Sequence, residues 1–222
     1  MSIMLFGAIV LSYLVGSIPF GLLLTRAAGG SPMRRRTLLG AGAWSVWCAH
    51  RTVRVDRAAL KLIPWVPRSE DAHMQEHSLE VQLPFLIRAL REFALVPLCV
   101  GEAEPEDVAR VLEALWGGPE TLIVVSSDLS HYLPYQVART TDQRTAHAIL
   151  ALGPRPIHHE QACGATPING LILVARRHGL HAELLDLRSS GDTAGRRSEV
   201  VGYGAFAFYP REEEVSHAGA DQ

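Results

Sequence analysis

Between Met1 and Thr25 the chain carries no charged residue, and Leu, Ile, Val and Phe dominate the run. A helix needs ~20 apolar residues to cross a bilayer core of ~30 Å, so the run is long enough to span. A cleavable signal peptide is a poorer match. No basic residue leads the run, and it is longer than the ~7–15 residues of a signal core. A helix buried in a core is the other alternative. Gly16, Pro19 and Gly21 are tolerated in spanning helices better than in soluble ones. Residues 1–26 are therefore expected to form one transmembrane helix. Positive charge follows at Arg26 and Arg34-Arg35-Arg36, and none precedes. By the positive-inside rule the bulk of the chain is expected in the cytoplasm, anchored to the inner membrane.

The 222 residues allow one sizeable domain with a proper core. A formal charge of −2, with no aromatic-interleaved basic stripe, gives no basis for nucleic-acid binding. Cys48, Cys99 and Cys163 are far apart and form no CxxC pair, which fits a reducing compartment better than a disulfide framework. Residues 27–52 show no clear period and read as an irregular junction. A domain is expected over 53–210, and a polar, flexible tail over 211–222.

Within the domain, His77 to Phe93 shows a helical stripe interrupted by Pro84, and Phe93 to Val100 reads as a buried strand. Pro105 opens an amphipathic helix closed by Gly117-Gly118. Thr121 to Val125 is a β-branched strand that empties into Ser126-Ser127-Asp128-Leu129-Ser130-His131-Tyr132. Helices follow around Thr140–Leu150 and from Thr166-Pro167. Leu184–Leu187 and Val200–Phe208 read as closing strands. This alternation predicts an α/β fold with a largely parallel or mixed sheet.

Three clusters could carry chemistry. Glu76-His77-Ser78 offers an imidazole, the commonest transition-metal ligand, although taken alone a helix-capping histidine on a polar turn is the more ordinary reading. Asp128 and His131 follow a buried strand, where α/β sheets form their sites, and an aspartate there can orient a histidine or share a metal with it. Cys163 precedes a helix N-terminus, which favours a thiolate for ligation or nucleophilic work, while most free cysteines are inert core residues.

Taken together, Glu76-His77-Ser78-Leu79-Glu80-Val81-Gln82-Leu83-Pro84-Phe85-Leu86, then Ser126 to Tyr132, then Ala162-Cys163-Gly164, then Ser190-Gly191-Asp192-Thr193-Ala194-Gly195, then Val200-Val201-Gly202-Tyr203-Gly204-Ala205-Phe206 resemble the Memo family in type, order and spacing. That family includes the bacterial proteins called AmmeMemoRadiSam system protein B, and the resemblance covers roughly seven-tenths of the chain. It implies an α/β fold similar to the class III extradiol dioxygenases. It also implies a metal site holding iron or copper, with His77 and Cys163 as ligands and Asp128 and His131 as the acid-base pair beside the metal. Radical SAM and AMMECR-like proteins are the partners it implies.

One family element is missing. The first histidine ligand lies in a Gly-Pro-Ser-His motif near the family's N-terminus, and this chain has none. His50, the nearby candidate, has unlike surroundings. The domain is thus expected to be incomplete at its N-terminus, short of strands at the heart of its sheet, with open strand edges and a degraded metal site. The segment Gly16 to Arg26 resembles the first helix of bacterial membrane glycerol-3-phosphate acyltransferases, but their Gly-Ser-Gly-Asn loop and further spans are absent. Two functions follow from the Memo resemblance. One is a metal-dependent oxidoreductase, dioxygenase-like. The alternative is a non-catalytic protein- or peptide-binding module.

Overall fold

A computed structural model describes residues 8–11, 20–26, 45–46, 51–69, 71–74, 77–90, 92–193 and 196–210. His50, most of the expected junction and the tail lie outside them. The chain begins with strands β1 (Ala8–Leu11) and β2 (Phe20–Arg26), followed by short strands β3 (Ser45–Val46), β4 (Arg51–Thr52) and β5 (Arg54–Val55). Helix α1 (Asp71–Met74) is a single turn, and α2 (Leu83–Ala89) precedes β6 (Ala94–Val100). Then come α3 (Pro105–Leu115), β7 (Thr121–Ser126), β8 (His131–Leu133), α4 (Tyr135–Leu150) and α5 (Ala165–Arg177). β9 (Leu180–Ser189), the short α6 (Ser190–Thr193) and β10 (Val200–Pro210) close the domain.

The expected mixed α/β fold is present. Eight strands form one sheet in the order β5-β6-β2-β7-β1-β10-β8, with β9 also pairing β10, while β3 and β4 pair separately. β1 runs parallel to β7, and β5 parallel to β6. β2 lies antiparallel between β6 and β7, and β10 antiparallel to β1. Alternation along the strands sends side chains to two cores. Val96, Leu98, Ile123, Val125 and Phe206 join the core under α3, α4 and α5. Leu95 and Val124 face the other way and pack with Leu79, Leu83 and Leu86 of the α2 region.

Two expectations are corrected here. The segment read as a membrane-spanning helix contributes strands, Ala8–Leu11 and Phe20–Arg26, to the middle of the sheet. Among the described residues no helix is long and apolar enough to cross a membrane. The physical reason is that a continuous apolar run fits a fully buried strand as well as a helix, and periodicity alone does not separate them. The open edges expected from missing strands are likewise absent at β6, β7 and β10, because β2 and β1 pair with them.

Pro84 also acts differently from expectation. It sits in the first turn of α2, where a missing N–H leaves no bond unmade, so it starts the helix. Leu79 is fully buried from the turn before it.

Candidate metal centre

β7 ends at Ser126, and the chain then crosses the carboxyl edge of the sheet, where open α/β sheets place their sites. Each motif residue has a distinct place there. Ser126 Oγ accepts a buried hydrogen bond from Gln82 Nε2 at 2.9 Å, tying the end of β7 to the segment before α2. Ser127 Oγ donates to the Asp128 carbonyl (2.7 Å) and accepts the Gly164 N–H (2.8 Å). Gly164 must be glycine for this approach, since a Cβ would stand 2.6 Å from Ser127 Cβ. Leu129 is buried and donates its N–H to the Gly202 carbonyl, while Gly202 N–H returns a bond to Ser130 O. The two serines and the leucine thus lock the loop, leaving Asp128 and His131 to face one another.

Asp128, His131 and Cys163 converge, with one potential ligand atom from each lying within 4.8 Å of the others. His131 Nε2 is 3.4 Å from Asp128 Oδ2, and both side chains are largely buried. Cys163 Sγ accepts the Asp128 backbone N–H at 3.0 Å, and the Cys163 N–H donates to the Asp128 carbonyl at 3.2 Å. The hydrogen bond to Asp128, then one to Cys163, pushes the His131 pKa up to about 10, with burial opposing them. Protonated, His131 is a cation that Asp128 and Cys163 both stabilise.

Sequence reasoning named these three residues, and the structure brings them together. It does not bring in His77. That imidazole is exposed and contacts Glu80 Oε2 at 3.3 Å, and it is not in the Asp128–His131–Cys163 group. Its segment remains tied to the site through Gln82 and Ser126.

Two supporting residues were not singled out from the sequence. Asp142 of α4 is almost fully buried and its Oδ1 accepts the Ser130 N–H at 3.0 Å. Burial raises its pKa, while the Ser130 hydrogen bonds and the His131 charge pull it down. The available signal was its place with Ala138, Thr145, Ala146 and Ile149 on the buried stripe of α4, where an aspartate needs a partner. His159 is the second. Its Nδ1 lies 3.1 Å from the Cys163 carbonyl and its Nε2 lies 3.4 Å from Thr166 Oγ1, so it braces the turn that presents the thiol.

The donors fit a transition metal. Imidazole, thiolate and carboxylate together favour iron, copper or zinc over calcium or magnesium. Ligands on one such ion are separated by about 3.3–3.8 Å at usual bond lengths, and the Asp128–His131 pair at 3.4 Å falls in that range. The fold and this cluster define a mixed α/β protein with a candidate mononuclear metal centre at a strand end. The chain belongs to the Memo family, since the profile described as "Memo-like protein" matches residues 52–207.

Its relatives agree. The chain is 36% identical over 169 residues to a MEMO1 family protein of Archaeoglobus fulgidus, covering 70% of this chain and 64% of that protein. It is 37% identical over 154 residues to one of Aquifex aeolicus, covering 63% and 57% respectively. A Methanosarcina barkeri relative is 36% identical over 149 residues, or 61% and 56%. The chain thus spans between about half and two thirds of the length of these curated relatives.

Proposed function

We propose that this chain is a metal-binding protein of Memo type, in which Asp128, His131 and Cys163 hold one iron or copper ion for an oxidoreductase reaction. The observation that carries the reading is the convergence of three different donor types, two from the loop after β7 and one from the turn before α5. Such an ion, when bound, supplies one-electron and O₂ chemistry.

The protein's own groups prepare the site. The Asp128 N–H donates to Cys163 Sγ and so fixes the position of the sulfur. The imidazolium of His131 holds a proton at Nε2 against Asp128, and His131 would have to give up a proton to serve as a ligand. His77, which the family resemblance makes a ligand, is engaged with Glu80 instead.

The test is metal content by plasma mass spectrometry, on protein as purified and after reconstitution with iron or copper. Near-stoichiometric metal that is lost in Cys163→Ser and in His131→Gln is the expected result. Failure to gain any metal on reconstitution overturns the proposal. Full metal content in His77→Ala would show that His77 stays outside the coordination sphere.

A further inference from the structure

We infer that Tyr132 is the ligand-facing wall of this centre, and that the molecule it admits presents a flat, unsaturated face; the inference rests on the metal-centre reading for where the chemistry occurs. Tyr132 lies in β8 between His131 and Leu133. In a regular strand adjacent side chains point to opposite faces, so the rings of residues 131 and 132 should diverge. Here they do not. Their centroids are 5.8 Å apart and their planes are inclined by 44°, within the range of a tilted aromatic pair.

The cause is local backbone geometry. Tyr132 adopts φ 55°, a left-handed conformation that bulky L residues rarely take. The β8–β10 pairing is irregular there, shifting register between Val200 and Val201. Irregularities of this kind re-aim side chains and gather beside active sites. The swing does not bury the ring, since Tyr132 remains 57% exposed. Packing therefore does little to offset the strained conformation. By contrast the His131 and Asp128 side chains are only 19% and 16% exposed. The exposed Tyr132 ring thus stands beside the partly buried His131 imidazole. Strain retained next to reactive groups, in a residue that contributes little to the core, is the pattern expected of a functional position.

The probes are benzamide and cyclohexanecarboxamide, two neutral amides of similar size that differ in whether the ring is flat and unsaturated. Binding to the full chain is measured by ligand-observed NMR, with and without added metal, alongside metal content of the same samples. Tyr132→Phe keeps the ring. Tyr132→Asn removes it while supplying a residue that tolerates positive φ, so the fold is kept. Wild type and Tyr132→Phe should prefer benzamide by about three- to tenfold, in line with an aromatic pair interaction, and Tyr132→Asn should show no preference. No preference in wild type, or an unchanged preference in Tyr132→Asn, overturns the inference. Samples that bind no metal yet keep a ring-dependent preference would sink the metal-centre reading and leave the Tyr132 wall standing.

Discussion

Asp128 and Cys163 are joined by a reciprocal pair of contacts, with the Asp128 N–H donating to Cys163 Sγ at 3.0 Å and the Cys163 N–H donating to the Asp128 carbonyl at 3.2 Å. Neither contact uses the Asp128 carboxylate, which remains for His131. The backbone of one site residue thus positions the side chain of another.

Ser127 supports this pair, and its removal should be felt at Cys163. In Ser127→Ala the Gly164 N–H loses its buried acceptor, a loss that costs about 1–3 kcal/mol. Urea unfolding should show a lower midpoint with an unchanged slope, and metal affinity should fall because the turn carrying Cys163 is loosened. Unchanged stability would mean that another acceptor, such as water, replaces the hydroxyl.

Asp142 and Gly202 act as one unit behind the loop. A Cβ at position 202 would overlap the Asp142 carboxylate, so Gly202→Ala should destabilise by about 1–3 kcal/mol through overpacking. Shortening the neighbour in Asp142→Ala/Gly202→Ala relieves that clash, and the double variant should lose less than the two single variants added together. Additive losses in thermal unfolding would show that the two positions act separately.

His131 gives the site a defined pH dependence. Its folded pKa of about 10 lies above the ordinary 6.5, so its contribution to metal-free stability is complete below pH 6.5 and is lost as pH rises through about 10. The stability gap between metal-free wild type and His131→Gln should narrow over that window. Metal binding has the opposite trend. An entering ion must displace the His131 proton, so apparent affinity should rise about tenfold per pH unit up to pH 10. In Asp128→Asn the largest cause of the shift is gone, and that slope should flatten at lower pH. Equal slopes in the two proteins would disconnect Asp128 from the protonation of His131.

Where a residue's role is local, the sequence revealed it. The β-branched run ending at Ser126, the Pro105 helix start and the Thr166-Pro167 helix each appear near the predicted place, because turn chemistry and periodicity act over a few residues. Asp128, His131 and Cys163 were legible because they lie at element ends. What was hidden depends on distant partners. Asp142 became meaningful only once α4 packed against β10; the contact of His77 with Glu80 is the exception, a local i,i+3 pair. The N-terminal run was misread for the same reason, since apolar residues alone do not say whether lipid or neighbouring strands cover them.

Those N-terminal strands support a sharp prediction. β2 pairs with β6 over its whole length and with β7 from Leu22 to Arg26, and β1 bridges β7 and β10. Deleting residues 1–26 should therefore uncover edges of three strands in the middle of the sheet, both edges of β7 among them. Exposed edges and apolar faces of this kind pair with other chains, so the shortened protein should be recovered as aggregate or as a form lacking near-ultraviolet circular dichroism. A membrane anchor would behave in the opposite way, its removal releasing a well-folded domain. A monomeric, cooperatively unfolding product that still binds metal would show that β1 and β2 are dispensable to the sheet.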